Sequence, residues 1–173
     1  MNYKVLYIFV EGDDDEDFFR AIKEEIFGGK YNCIQIVKYA QKDPEYVEKF
    51  IKSIKAMKAD YIFVADIDKF PCITARKANI RGKYSFLDNE KILIVVKEIE
   101  SWYLAGVDQA IRKKLKIKCS LPSTDDLTKE ELKSLMPKKF LSFRTFLQEL
   151  LKHYELQTAR RNNKSFDYFL RKY

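Results

Sequence analysis

Apolar runs alternate with helical periodicities along the first part of the chain. Residues 4–10 are a continuous run rich in β-branched and aromatic side chains, the pattern of a strand buried on both faces. The segment from Asp13 to Phe27 has apolar residues at helical spacing and ends at a Gly-Gly pair, which predicts a helix. A strand over residues 31–39 and a helix that begins at Pro44 repeat this pattern.

Two more buried strands are predicted at residues 59–65 and 92–96. The connection between them, residues 69–90, has little periodicity, and we expect it to be irregular or partly helical. Strands that alternate with helices predict an α/β fold, a Rossmann-like parallel sheet with helices on both faces. After the fourth strand only helical patterns remain, at residues 98–105, 107–115, 128–135, 138–154 and 163–172.

The length and composition are those of one ordered domain. The chain has 173 residues, 46% of them hydrophobic, which is enough to bury a substantial core. We expect residues 1–105 to form the α/β core and residues 106–173 to form a helical extension packed on it, as a single compact unit. The chain starts without the pattern of a secretory signal and has no apolar stretch near the ~20 residues of a membrane span. A cytoplasmic protein with no membrane partner is expected.

Cysteine and histidine usage restricts the kind of metal site. Cys33, Cys72 and Cys119 are widely spaced and form no Cys-x-x-Cys pair, so they indicate neither a disulfide framework nor a zinc site. His153 is the only histidine in the sequence, which excludes a site built from several histidines of one chain. Any metal ion must therefore be held by carboxylates.

Acidic residues follow the first and third predicted strands. Glu11 comes directly after the first strand, and Asp66 and Asp68 follow the third. Ligands of open parallel sheets bind at the carboxyl ends of the strands. Asp66 and Asp68 are two residues apart, so in extended backbone their side chains share a face, and neighbouring strands about 4.8 Å apart would bring Glu11 to them. Such an all-oxygen set selects Mg²⁺ or Mn²⁺. Glu98, near the end of the fourth strand, is a further candidate metal ligand, or an acid that begins a helix.

Charge is distributed unevenly along the chain. Residues 1–70 contain 11 Lys or Arg and 14 Asp or Glu, whereas residues 71–173 contain 22 and 12, within a total of +7. An acidic first part and a basic second part suit a metal site beside a surface that binds a polyanion such as DNA or RNA. The candidate phosphate-binding residues follow the aspartate pair and are Arg76, Lys77, Arg81 and Lys83. A solvated, lysine-rich surface is the alternative.

At these residues the sequence resembles the Toprim family. Glu11 after the first strand, followed by Asp15, and Asp66 with Asp68 after the third strand match its two motifs, within residues 4–105. The fold occurs in topoisomerases, bacterial primases, OLD-type nucleases and ribosomal-RNA maturases. The resemblance implies that Glu11 is a general acid or base and that the aspartates hold the metal. Asp15 matches an extra acid of the nuclease and maturase branches, and the resemblance implies that it is a metal ligand that supports a second cation, with helix capping as the alternative.

A narrower resemblance concerns small stand-alone Toprim-like proteins of bacteria and archaea. It is based on residues 98–105 and on residues 165–170. The sequence lacks the gate and nucleophile domains of a topoisomerase and the zinc-binding domain of a primase. It also lacks the ATPase region of full-length OLD proteins, so energy coupling would require an ATPase or another protein partner.

The function that the sequence predicts is Mg²⁺-dependent phosphoryl transfer on nucleic acid, as a nuclease in which Glu11, Asp66 and Asp68 are catalytic. The alternative is a non-catalytic Toprim module of a defence or repair system that binds nucleic acid or a protein partner. A third hypothesis is a small receiver-like or nucleotide-binding α/β protein, although the sequence has no Gly-rich phosphate loop.

Overall fold

Four strands form one parallel sheet in the computed structural model, which describes residues 3–173. The strand order is β2-β1-β3-β4, with bounds β1 (Val5–Val10), β2 (Cys33–Lys38), β3 (Asp60–Asp66) and β4 (Ile92–Val95). β1 pairs in parallel with β2 on one side and with β3 on the other, where Phe9 lies opposite Phe63. The expectation that the first and third strands are neighbours is confirmed.

Helices cover the sheet in the manner expected of an α/β fold. The helices that connect the strands are α1 (Asp13–Phe27), α2 (Pro44–Ala56) and α3 (Ile73–Lys83), with a short 3-10 helix over Asn89–Lys91. On one face of the sheet, Phe9 packs with Ile51 of α2 and Ile80 of α3. Leu6 and Ile8 point to the opposite face, where they are buried, and a right-handed connection places α1 there. The predicted fold class, an α/β fold with a Rossmann-like parallel sheet flanked by helices, is confirmed.

The chain divides into two compact units between Ile94 and Val95. After β4 the second unit is helical, with α4 (Ile99–Ala105), α5 (Gln109–Leu115), α6 (Lys129–Ser134), α7 (Phe143–Leu151), α8 (Leu156–Asn162) and α9 (Lys164–Lys172). Its core forms around Trp102, which is fully buried and stacks on Phe169 with 5.4 Å between ring centroids. The indole nitrogen of Trp102 donates a hydrogen bond to Ser165 Oγ at 2.7 Å, so the one polar atom of this ring is satisfied.

Three helices differ from the sequence pattern. The segment 69–90 contains α3, a regular helix that carries only one buried residue, Ile80, and therefore shows almost no apolar periodicity. The predicted helix over 138–154 begins only at Phe143, because Ser142 accepts a hydrogen bond from the Thr145 backbone nitrogen at 3.2 Å and caps it. The sequence does not predict α8, whose buried residues are the small Thr158 and Ala159.

Two exclusions made from the sequence concern membranes and disulfides. Within residues 3–173, none of the helices is long and apolar enough to cross a membrane. The cysteines Cys33, Cys72 and Cys119 are all free thiols. The first unit is therefore held together by its sheet and the apolar residues on both faces, and not by covalent cross-links.

Candidate functional site

A single guanidinium joins the carboxyl ends of β1 and β3. Arg76 of α3 donates from Nη2 to Glu11 Oε1 at 3.2 Å, and the same nitrogen lies 2.7 Å from Asp68 Oδ2. Its Nε donates to the backbone carbonyl of Asp66 at 2.8 Å. The Arg76 side chain is 13% exposed, Glu11 30% and Asp68 51%, so water screens the contact with Asp68 more than the contact with Glu11. The carboxylates of Glu11 and Asp68 and the backbone carbonyl of Asp66 thus surround one cation, the Arg76 guanidinium.

Asp68 reaches this position from a left-handed backbone conformation. β3 ends at Asp66, and Asp68 has a φ of 51°, which aspartate tolerates better than most residues. The expectation of extended backbone from Asp66 to Asp68 is therefore wrong. A turn in which the Phe70 nitrogen donates to the Ile67 carbonyl at 3.2 Å redirects the chain, and it is this turn that places the Asp68 carboxylate at Arg76.

Glu11 is oriented by a buried tyrosine as well as by Arg76. The hydroxyl of Tyr39 donates to Glu11 Oε1 at 3.0 Å, and Tyr39 is 6% exposed. Burial, followed by the negative charge of Glu11, raises the pKa of Tyr39 well above its usual range, so the hydroxyl keeps its proton and remains a donor. Both donors bind the same oxygen, and no hydrogen bond from residues 3–173 engages Oε2. Sequence analysis did not identify Tyr39, although it follows β2 at the same edge of the sheet.

The other two acidic candidates bind backbone groups. Asp15 is buried on α1, and its Oδ2 accepts a hydrogen bond from the Gly12 nitrogen at 3.1 Å. Glu98 belongs to the second unit, where its Oε2 accepts from the Lys129 nitrogen at 2.5 Å, at the start of α6. The contact of Asp15 matches its alternative role in helix capping, whereas Glu98 begins α4 without capping it and binds the start of α6 instead. Their assignment as metal ligands stays a prediction.

The four basic candidates of α3 divide into two groups. A cavity of about 200 Å³ is lined by residues that include Glu11, Tyr39, Arg76, Asn79, Lys83 and Tyr84. Arg76 and Lys83 are seven residues apart and lie on one face of the helix. Lys77 points elsewhere: its Nζ donates to the Asn89 carbonyl at 3.1 Å, and burial lowers its pKa. Arg81 is exposed and does not line the cavity.

Glu11 and Asp68 offer oxygen atoms of the kind that a hard divalent cation binds, but the Arg76 guanidinium occupies these atoms. Carboxylate oxygens are the ligands that Mg²⁺ and Mn²⁺ prefer. In residues 3–173, no group of three or more His, Cys, Asp and Glu side chains is arranged to hold a metal ion. Glu11 and Asp68 already share the positive charge of Arg76. Two carboxylates suit Mg²⁺ only together with water and a substrate phosphate, and Arg76 occupies both of them in this structure.

Comparison with known proteins gives one distant similarity. Neither a protein-family model nor a curated protein matches the sequence. Among solved structures, the chain is similar to the C-terminal region of the Burkholderia pseudomallei OLD protein, with a TM-score of 0.36 and 17% sequence identity over 95% of this chain and 87% of that one. At this distance no residue role is transferred, and the assignment of the site depends on the contacts of Glu11, Asp68 and Arg76.

Proposed function

We propose that this chain is a divalent-cation-dependent enzyme that hydrolyses phosphodiester bonds of nucleic acid. The observation that carries the proposal is the convergence of Glu11, Asp68 and the Asp66 carbonyl on the Arg76 guanidinium. This convergence lies at the carboxyl edge of a parallel sheet, where such folds bind ligands. Carboxylates that surround the positive charge of Arg76, beside a cavity lined by basic residues, suit a reaction on a phosphodiester.

Each residue of the site has a distinct role in this proposal. Asp66 and Asp68 hold Mg²⁺ or Mn²⁺, which when bound supplies polarisation of the scissile phosphate and a more acidic water. Glu11 accepts the proton of the attacking water at Oε2, while the Tyr39 hydroxyl fixes the other oxygen. Lys83 and Arg76 bind the phosphate that enters the cavity.

Cleavage of a nucleic-acid panel tests this function. The protein is incubated with end-labelled single-stranded and double-stranded DNA and RNA in Mg²⁺, Mn²⁺ or EDTA. We expect cation-dependent cleavage of at least one substrate, and no cleavage by the Asp66→Asn/Asp68→Asn variant purified in parallel, because the cation loses its ligands. If no substrate is cleaved in any cation, the enzymatic proposal is wrong.

A second candidate function is a non-catalytic module that binds nucleic acid. The observation that favours it is the occupation of Glu11 and Asp68 by Arg76, since a permanent ion pair at this place would exclude a metal. Such a module would bind the members of the same panel in a salt-sensitive way without cleaving them. The cleavage panel, followed by binding measurements, therefore separates the two functions.

Lys83 lines the cavity and Arg81 does not, so removing either charge should change the salt dependence of nucleic-acid binding by different amounts. Lys83→Gln should reduce the slope of log affinity against log salt by about 0.7 to 0.9, the value for one lost phosphate contact. Arg81→Gln removes the same charge from the same helix outside the cavity and should leave the slope nearly unchanged. Fluorescence anisotropy with labelled DNA at several KCl concentrations in EDTA measures both. Equal slopes for the two variants would show that the cavity is not on the phosphate path.

A further inference from the structure

We infer that Arg76 couples the binding of the cation to the binding of a nucleic-acid phosphate. Without substrate, the Arg76 guanidinium occupies Glu11 and Asp68. A phosphate group that enters the adjoining cavity draws the guanidinium to itself, and Asp68 can then bind the cation. This inference deepens the proposed function and depends on the same site.

Arg76 and a divalent cation compete for the same oxygen atoms. The Nη2 atom lies 2.7 Å from Asp68 Oδ2 and 3.2 Å from Glu11 Oε1. A second positive ion among these oxygens would be repelled by the guanidinium at close range. The cation therefore binds weakly as long as Arg76 keeps this position.

The cavity beside Arg76, which Glu11 also lines, offers hydrogen-bond donors to a phosphate. In the part of the chain that the structure describes, the hydrogen bonds of Arg76 use Nε and Nη2 and not Nη1, and the guanidinium carbon lies 5.2 Å from the centroid of the Phe70 ring. Lys83 has no carboxylate partner among residues 3–173, and its Nζ lies 5.3 Å from the centroid of the Tyr84 ring. Asn79 also lines the cavity. A guanidinium fork beside an ammonium group and an amide suits the oxygens of one phosphate.

Competition between Arg76 and the cation for the carboxylates, together with attraction of Arg76 to the phosphate, makes the two binding events cooperative. A phosphate that holds Arg76 away from the carboxylates raises the affinity for the cation. By linkage, the cation raises the affinity for the phosphate by the same factor. The site thus assembles its metal centre only on a substrate.

Binding of Mn²⁺ tests the coupling without any measurement of activity. Free Mn²⁺ is followed by electron paramagnetic resonance during titration of the wild type, alone and with an eight-thymidine oligonucleotide whose phosphorothioate linkages carry charge and resist cleavage. The same oligonucleotide with uncharged methylphosphonate linkages is the control ligand. We expect the charged oligonucleotide to tighten Mn²⁺ binding about tenfold, after subtraction of its own Mn²⁺ binding, and the uncharged one to have no effect.

Variants of α3 assign the effect to Arg76. Arg76→Gln should bind Mn²⁺ about tenfold more tightly than the wild type without oligonucleotide, and the charged oligonucleotide should then add less than twofold. Arg76→Lys keeps the charge but loses the planar guanidinium, so its Mn²⁺ affinity should lie between those of the wild type and Arg76→Gln. It also provides a second test if Arg76→Gln does not fold. Arg81→Gln, outside the cavity, should behave like the wild type.

Failure of the coupling is distinguishable from failure of the proposed function. If the wild type cleaves nucleic acid in Mn²⁺ but Arg76→Gln binds Mn²⁺ with the wild-type affinity and response to oligonucleotide, the coupling is wrong and the function stands. If the coupling through Arg76 is observed but no nucleic acid is cleaved, the site binds cation and phosphate without catalysis. If neither the wild type nor Arg76→Gln binds Mn²⁺ under any condition, both proposals are overturned.

Discussion

Replacing Asp66 and Asp68 together by asparagine should abolish the stabilisation of the protein by Mg²⁺ or Mn²⁺. A cation that binds only the folded state stabilises it by about 2.7 kcal/mol at a concentration one hundred times its dissociation constant. For a chain of 173 residues, this corresponds to an increase of about 5 to 10 °C in the unfolding temperature. Differential scanning calorimetry in EDTA and in saturating metal measures the increase for the wild type and its loss in Asp66→Asn/Asp68→Asn.

The matched control for this experiment is Asp126→Asn/Glu130→Gln, which removes two negative charges from exposed positions of the second unit. It should keep the full response to metal. In EDTA, Asp66→Asn/Asp68→Asn should unfold close to the wild-type temperature, because Asp68 is half exposed and its ion pair with Arg76 contributes little. The same metal-induced increase in the wild type and in Asp66→Asn/Asp68→Asn would place the cation elsewhere on the chain.

The strand ends of the site were predictable because buried parallel strands have a simple signature. β1 and β3 are nearly uninterrupted apolar runs, and an acid directly after such a run stands at the carboxyl edge of the sheet. Glu11 and Asp66 could therefore be placed at the same edge from the sequence. The acids at that edge were also sufficient to predict a bound cation, because carboxylates that lie close together repel each other unless a cation binds between them.

The partners of Glu11 and Asp68 were not predictable in the same way. Arg76 lies on α3, a helix whose single buried residue gives no periodicity, so the sequence does not show which of its side chains face the sheet. The left-handed conformation of Asp68 depends on a turn that no glycine marks. In the sequence pattern, Tyr39 is indistinguishable from an apolar residue at the end of a strand. Its position directly after β2 was the one sign that its hydroxyl could reach Glu11. These contacts arise from tertiary packing and not from local pattern.

The second prediction concerns Glu11→Gln, which should lower the cleavage rate by about 10² to 10⁴, the usual contribution of a general base. Glutamine keeps the shape of the side chain, and its carbonyl oxygen can still accept from Tyr39 and Arg76, but it cannot take a proton from water. The fold should survive, and nucleic-acid affinity should change little, because affinity comes mostly from phosphate contacts elsewhere. Single-turnover cleavage with a labelled substrate, together with anisotropy for binding, measures the two quantities separately.

Two comparisons isolate proton transfer from metal binding in this variant. Asp68→Asn should also lose activity, but excess Mn²⁺ should partly restore it because the defect lies in cation affinity, whereas Glu11→Gln should not recover. Glu25→Gln makes the same chemical change at an exposed position of α1 and should cleave at the wild-type rate. If a folded Glu11→Gln protein cleaves as fast as the wild type with the same metal dependence, Glu11 does not move a proton in the reaction. Its contacts with Tyr39 and Arg76 would then serve only to hold the edge of the sheet together.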